Sequence, residues 1–189
     1  MIISVSGKPG SGKSTVAEKL AAALGFERIY IGEMRREMAR KKGMTLAEFN
    51  AWSETNSEGD KGFDEYIEKI GKERDNIVLE SRTAFHFIPH SLKIFLEVSD
   101  EEGARRIWGA IQQQKQKRNE APGLNNYEDV LSSVKKRLQS DTKRYQQYYG
   151  LNIFEPSHYD LYLDATTLSP EIEFNQVLKF VESKLREKV

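Results

Sequence analysis

The stretch that decides the fold of this chain is Gly7-Lys8-Pro9-Gly10-Ser11-Gly12-Lys13-Ser14. It satisfies the pattern G-x-x-x-x-G-K-[ST] without a mismatch, and in that pattern backbone N–H groups surround phosphate oxygens at the N-terminus of a helix. The flanks agree with it, because residues 2–6 form a short β-branched run like a buried strand and a helical apolar stripe follows Lys13. The sequence therefore predicts a site for a nucleoside triphosphate.

Each residue type in this stretch has its own part in binding phosphate. The glycines let the backbone approach the phosphate oxygens, Lys13 adds positive charge at the β- and γ-phosphates, and Ser14 offers a hydroxyl to Mg²⁺. The competing interpretation, a plain glycine-rich turn, needs both the pattern and its flanks to be accidental. We therefore expect a nucleoside triphosphate and Mg²⁺ to bind along this whole stretch and at Thr15.

The composition limits what else the chain can be. Its 189 residues suit one domain, and 29 basic against 29 acidic residues argue against a nucleic acid or a membrane as the partner. The absence of cysteine excludes disulfides and thiolate metal sites, and the three histidines have no metal-ligand spacing. No stretch could span a bilayer and no targeting segment is recognisable, so we expect a cytoplasmic monomer acting on small molecules.

The rest of the chain predicts an α/β fold. Short apolar runs predict strands at residues 2–6, 28–31, 77–80, 92–98 and 161–164. Helical patterns fill the intervals between these strands, with a break expected at residues 56–60. Such alternation implies a single domain over residues 1–189, built on a five-stranded parallel sheet with helices on both faces. Ligands of such folds bind beyond the carboxyl ends of the strands, where the glycine-rich stretch lies.

Charged residues that follow two of the predicted strands point to the same crevice. Arg36 comes just after the second strand, and Arg82 stands two residues past Glu80, the acid that ends the third. Because the carboxyl ends of parallel strands share one edge, we expect these side chains beside the phosphate site. Glu80 is then an acid on the Mg²⁺ side that acts through water, and the alternative is a carboxylate that only caps its strand.

A second charged set lies on one predicted helix. Arg137, Asp141 and Arg144 are spaced i, i+4 and i+7, so they share one helix face. A kinase for a phosphorylated acceptor needs such groups, because guanidinium groups can hold two mutually repelling phosphates in line. The competing interpretation is that these arginines, like Arg36 and Arg82, are solvated surface residues.

The chain resembles the cytidylate kinase family, and particularly its short archaeal-type branch, over nearly its whole length. The glycine-rich stretch is shared with a much larger class of proteins. The segments that carry the resemblance beyond it are Ile31-Gly32-Glu33-Met34-Arg35-Arg36-Glu37, Val78-Leu79-Glu80-Ser81-Arg82, Ala104-Arg105-Arg106, the helix at 137–149 and Asp164-Ala165-Thr166-Thr167-Leu168-Ser169.

The resemblance implies a P-loop nucleoside monophosphate kinase fold, with an acceptor-binding region at residues 33–75 and a lid at residues 110–127. Arg36 and Arg82 would hold the acceptor phosphate, and Arg137 and Arg144 would bridge the two phosphates from the lid side. Arg106 would lie against the adenine of ATP, near the backbone of residues 166–169. The residues implied in binding the acceptor are Gly32, Arg36, Glu80, Arg82, Thr83 and Asp141.

The lid has basic residues whose role stays open. Lys115, Lys117 and Arg118 would reach phosphates if the lid closes on them, and a solvated loop is the alternative. The resemblance also has two departures in base recognition. Bacterial members carry an aspartate after the arginine equivalent to Arg82, where this chain has Thr83, and a serine where it has Ile31.

The expected activity is transfer of the γ-phosphoryl group of ATP to a nucleoside monophosphate, with CMP or dCMP as the acceptor that the resemblance implies. The departures at Thr83 and Ile31 leave the acceptor base undecided, and ribose is not distinguished from deoxyribose. One alternative is a kinase for another small acceptor, such as AMP, UMP or a non-nucleotide metabolite. A second alternative is an assembly ATPase that acts with RNA or protein.

Overall fold

The computed structural model describes residues 1–113 and 123–187, and these form one α/β unit. The strands are β1 (Ile2–Gly7), β2 (Glu27–Tyr30), β3 (Ile77–Glu80), β4 (Leu92–Glu97) and β5 (Leu161–Asp164). The helices are α1 (Lys13–Leu24), α2 (Ile31–Lys41), α3 (Leu46–Ser53), α4 (Glu58–Glu73), α5 (Ala84–Phe87), α6 (Asp100–Gln112), α7 (Tyr127–Tyr149) and α8 (Pro170–Arg186). Within the described residues, no helix is both long and apolar enough to cross a membrane.

The strands form one parallel sheet in the order β2-β3-β1-β4-β5. The predicted fold class is therefore confirmed. Strand β1 lies at the centre and is buried along its whole length, and in its register with β3 Val5 pairs with Glu80. This register explains why an acid that is 66 residues away from Ser14 in sequence lies beside the phosphate-binding loop.

Alternation along the strands sends apolar side chains to two separate cores. Ile3 and Val5 of β1 pack with Leu20 of α1 and Val177 of α8 on one face of the sheet. On the other face, the buried cluster includes residues of β1, β3 and α4, namely Ile2, Ile77, Leu79, Ile67 and Ile70. Both faces are therefore covered, as a parallel sheet requires.

Most differences from the predicted boundaries are small and have local causes. Strand β2 ends at Tyr30 because helix α2 begins directly at Ile31. The predicted break at 56–60 is shorter than expected, since α4 already begins at Glu58. The helix predicted after Thr45 is confirmed, and Thr45 forms a capping box with Glu48, in which each residue's side chain accepts a hydrogen bond from the other's backbone N–H.

A contact between two glycines positions the phosphate-binding loop. Gly10 has a φ of 78°, and a Cβ added to it would lie 2.3 Å from the carbonyl oxygen of Gly103 in the first turn of α6. A Cβ added to Gly103 would lie 2.5 Å from the carbonyl oxygen of Pro9. The backbone of the loop therefore packs directly against the backbone of α6. A side chain at either Gly10 or Gly103 would prevent this contact.

We predict that Gly103→Ala destabilises the protein, although alanine normally favours a helix over glycine. The new methyl group would force the loop and α6 apart, and we expect the free energy of unfolding to fall by about 1–3 kcal/mol, as for other overpacked sites. Gly109→Ala is the matched control, because Gly109 lies in the same helix and a Cβ added to it would meet no atom of the described residues within 4 Å beyond the helix's own backbone.

The control should gain up to about 1 kcal/mol from the removal of a helical glycine. Urea unfolding of both variants measures the difference. Equal gains in the two variants would contradict a tight contact between α6 and the loop.

Candidate active site

A cavity of about 820 Å³ lies at the carboxyl edge of the sheet. Its wall is formed by the phosphate-binding loop, by residues that follow β2, β3 and β5, and by helices α4, α6 and α7. This is the edge at which the sequence places the ligand of a parallel sheet.

The phosphate-binding loop forms part of the cavity wall. Of the loop residues expected to bind phosphate, those that line the cavity are Pro9, Gly10, Gly12, Lys13, Ser14 and Thr15. Gly7, Lys8 and Ser11 do not line it. The ammonium of Lys8 lies 2.7 Å from Glu97 and 3.5 Å from Asp100, and the Ser11 side chain is fully buried.

Lys13 is surrounded by other cations. Its Nζ donates to the carbonyl of Lys8 at 3.2 Å, and Arg82, Arg137 and Arg36 are close enough to act on its charge. Burial, and then the repulsion from these arginines, lower the pKa of Lys13 to about 7, against the opposing effect of the Glu80 carboxylate. A bound anion would relieve this repulsion, so the charge distribution is that of a polyphosphate site.

Ser14 and Glu80 form the pair expected on the metal side. The Ser14 hydroxyl donates to Glu80 Oε1 at 2.6 Å, and Arg28 donates to Oε2 at 2.9 Å. In the part of the chain that the structure describes, no three His, Cys, Asp or Glu side chains are grouped to hold a metal ion. One hydroxyl and one carboxylate fit Mg²⁺, which in nucleotide sites is held by few protein ligands, with phosphates and water completing its shell.

Three of the four predicted phosphate-binding arginines line the cavity. Arg36 is buried and donates from Nη1 to the Tyr30 hydroxyl at 2.7 Å. Arg82 lies 2.7 Å from Asp141, while its Nη2 has no hydrogen-bond partner among the described residues. Arg137 also contributes to the wall. The structure thus brings these arginines together with Lys13 around one space.

The fourth arginine lies behind the wall rather than in it. Arg144 donates from Nη1 to both carboxylate oxygens of Asp60 at 2.6 Å, and from Nη2 to Asp141 at 2.5 Å. It is 1% exposed and, like Asp141, is absent from the cavity lining, so neither takes the direct phosphate- or acceptor-facing position that we expected. Arg35 donates to Asp60 at 2.7 Å, which completes a buried ladder, Arg35–Asp60–Arg144–Asp141–Arg82.

Two members of the ladder, Asp141 and Arg144, are held in their charged forms by their neighbours. Although burial alone would raise it, the pKa of Asp141 is lowered by Arg82 and Arg144. Although burial opposes it, the carboxylates of Asp141 and Asp60 raise the pKa of Arg144. The sequence analysis did not identify Arg35 or Asp60 as site residues. Arg35 is next to Arg36, which we expected at the site, whereas Asp60 lies in the predicted break at residues 56–60 and gave no signal.

The donor side of the cavity contains Arg106. Its Nη2 donates to the carbonyls of Ala165 at 2.6 Å and Leu168 at 3.3 Å, and its Nε donates to Glu102 at 2.8 Å. The guanidinium is thereby fixed against the loop after β5, whose residues 166–169 also line the cavity. Arg106 therefore occupies the neighbourhood that the resemblance implies for the adenine of ATP.

Glu173 is a buried carboxylate beside the same region. It lies in the first turns of α8, faces Gly12 and has one oxygen with no hydrogen-bond partner among the described residues. The nearest guanidinium nitrogen, from Arg106, is 4.0 Å away. Burial raises the pKa of Glu173 to about 7, against the opposing effect of Arg106. No sequence signal identified this residue, because an acid is common in the first turn of a helix.

The part of the cavity where we expect the acceptor combines apolar and acidic groups. Gly32 and Thr83, both expected there, line the cavity together with Phe63, Asp64 and Tyr145. The lid residues Lys115, Lys117 and Arg118 lie outside the described residues, although residues 110, 111 and 124 of the predicted lid do contribute to the wall. The extent of the lid and of the acceptor region stays a prediction.

We predict that Glu173→Gln stabilises the nucleotide-free protein increasingly as the pH rises. The pKa of Glu173 is about 7 in the folded wild type, against 4.5 in the unfolded chain. The proton that the folded state retains therefore contributes fully to the free energy of unfolding below pH 4.5, and this contribution is lost as the pH rises through 7. Glutamine does not ionise. Relative to wild type, the variant should gain about 2–3 kcal/mol between about pH 5 and about pH 8.

Urea unfolding at several pH values measures this difference. The matched control is Glu171→Gln, which alters an exposed glutamate of the same helix. A constant difference between Glu173→Gln and wild type across the pH range would contradict the burial of an ionisable carboxylate beside Gly12.

Comparison with known proteins agrees with this geometry. A cytidylate kinase of Halobacterium salinarum is 33% identical over 185 residues, which is 97% of this chain and 90% of that protein. A cytidylate kinase of Methanosarcina mazei is 36% identical over 168 residues, with 87% of each protein covered. One from Sulfurisphaera tokodaii is 33% identical and covers 98% of this chain and 95% of its own length.

Structural comparison and a family model extend the match. The shikimate kinase of Bacteroides thetaiotaomicron superposes with a TM-score of 0.65 over 98% of both chains at 17% identity, which shows a shared fold. A family model described as an AAA domain matches residues 3–129. Since relatives above 30% identity cover nearly the whole chain, the protein belongs to the cytidylate kinase family of P-loop proteins.

Proposed function

We propose that this protein transfers the γ-phosphoryl group of ATP to a nucleoside monophosphate, with CMP or dCMP as the preferred acceptor. The observation that carries the proposal is the meeting of Lys13 with Arg36, Arg82 and Arg137 around one cavity. A site for one triphosphate needs the loop and its lysine, whereas a second group of arginines suits a second anionic substrate. The curated relatives above are named cytidylate kinases, which supports a pyrimidine acceptor.

Catalysis by this arrangement requires positioning and charge neutralisation rather than a covalent intermediate. The loop N–H groups and Lys13 would hold the β- and γ-phosphates of ATP. Arg36 and Arg82 would hold the acceptor phosphate, and Arg137 would lie between the two anions. Such groups favour the transition state because charge spreads over the transferring phosphoryl group while the cations stay fixed.

Ser14 and Glu80 would hold Mg²⁺, which when bound neutralises charge on the phosphates. Arg28 holds Glu80 in place through its contact with Oε2. We assign Arg144 and Asp141 a positioning role, because they are buried behind the wall and Asp141 directly holds Arg82. Action as a monomer and a cytoplasmic location stay predictions.

We predict that, with Mg·ATP, CMP and dCMP give the highest kcat/KM in a panel that also contains UMP, AMP and shikimate. The arginines opposite Lys13 favour the phosphorylated acceptors over shikimate, and the kinship with cytidylate kinases favours cytosine among the bases. Release of ADP in a coupled assay measures each rate. A flat response to CMP and dCMP, with a strong response to another acceptor, would replace the proposed substrate and keep the kinase.

The panel also separates the kinase from an ATPase. Hydrolysis of ATP that needs no acceptor and is stimulated by RNA, with a steep dependence on salt, would contradict phosphoryl transfer to a small molecule.

We predict that Lys13→Ala and Arg82→Ala each lower kcat for CMP by a factor of about 100 or more, because each removes a fixed cation that faces developing charge. Arg74→Ala is the control, since Arg74 pairs with Glu27 away from the cavity and should keep the wild-type rate. Circular dichroism checks that the variants are folded. If a folded Arg82→Ala variant transferred phosphate at the wild-type rate, Arg82 would have no role in the reaction.

A further inference from the structure

One carboxylate on the acceptor side of the cavity is unlike the others. Asp64 of α4 lines the cavity and is 7% exposed, and no lysine or arginine of the described residues forms an ion pair with it. Asp60, one turn earlier on the same helix, is neutralised by Arg35 and Arg144. Asp64 therefore keeps its capacity to accept hydrogen bonds, whereas that of Asp60 is taken up within the protein.

Hydroxyl groups hold Asp64 from two sides. The Thr83 hydroxyl donates to Oδ1 at 3.0 Å, and the Tyr149 hydroxyl donates to Oδ2. The carboxylate is thus fixed in orientation, and each of its oxygens has a further lone pair to offer. Burial raises the pKa of Asp64 to about 6, against the opposing effect of the two hydroxyls, so the carboxylate is ionised at neutral pH only at an energetic cost.

The surroundings of Asp64 suit a flat heterocycle. Phe63, which precedes Asp64 in α4, also lines the cavity, as does Tyr145, whose ring stacks on that of Tyr149. Aromatic faces accept any planar base, so they supply affinity without choosing among bases. Choice requires a polar group at the edge of the base. The Thr83 hydroxyl already donates its one proton to Asp64, so both Thr83 and an ionised Asp64 can only accept from a base.

We infer that Asp64 selects the acceptor by accepting a hydrogen bond from an exocyclic amino group on its base. Cytosine has such a group at position 4, where uracil has a carbonyl oxygen. A carbonyl facing the carboxylate would leave two desolvated acceptors opposed, and this rejects the base more strongly than the lost hydrogen bond alone. The assignment rests on the proposed function, since it names the group that reads the acceptor of that reaction.

The test is Asp64→Asn, because the side-chain amide can donate to the uracil carbonyl where the carboxylate could only accept. We expect kcat/KM for CMP to fall and that for UMP to rise, so that the CMP-to-UMP ratio falls by about 100-fold or more, as for a hydrogen bond to a charged group. The KM for ATP should not change, because Asp64 is on the acceptor side.

Asp60→Asn is the matched control. It alters an aspartate of the same helix and the same cavity wall, but one whose oxygens are held by arginines. Whatever its effect on kcat, it should leave the CMP-to-UMP ratio within about threefold of wild type. A comparable change of the ratio in both variants would overturn the assignment to Asp64.

A second measurement uses the wild-type protein and so does not depend on how a variant folds. A CMP analogue that lacks the 4-amino group should have a kcat/KM at least about tenfold below that of CMP. Equal use of CMP and this analogue overturns the inference, as does an unchanged CMP-to-UMP ratio in folded Asp64→Asn. A wild type that phosphorylates no member of the acceptor panel overturns the proposed function as well, which separates the two failures.

Discussion

The structure depends on holding several cations close together around one cavity. Lys13, Arg36, Arg82 and Arg137 face this cavity, and burial, followed by repulsion from the arginines, lowers the pKa of Lys13. Such repulsion destabilises the folded state, because unfolding lets the cations move apart. Carboxylates that pair with the cations offset this cost. The same repulsion makes the cavity favourable for two polyanionic substrates, whose binding would in turn stabilise the folded state.

The buried ladder from Arg35 to Arg82 is how the chain holds one of these cations, Arg82. Asp60 and Asp141 alternate with three arginines, so that like charges are separated by carboxylates along the whole series. The ladder also joins separate elements: α2, α4, α7 and the loop after β3 each supply a member. A displacement of α2 or α4 would therefore act on Arg82 through Arg144 and Asp141, which do not line the cavity.

The fold and the donor site were predictable because they depend on local sequence and on the geometry of parallel strands. The register of β1 with β3 places Glu80 beside Ser14, at the carboxyl edge where the parallel strands end. Arg144 was misplaced for a physical reason. Seven residues of helix keep it on the face of Arg137 but advance it by about 10 Å along the axis, which is far enough to leave the cavity and reach α4 instead.

Base recognition shows most clearly why sequence position is a weak guide to chemistry in this cavity. The residue after Arg82 is a threonine where bacterial members carry an aspartate, and the sequence alone therefore leaves the base undecided. In the fold, the Thr83 hydroxyl donates to Asp64, which is 19 residues earlier in the chain. A carboxylate can thus reach the same wall from a different element, because a cavity requires a group at a point in space and not at a position in the sequence.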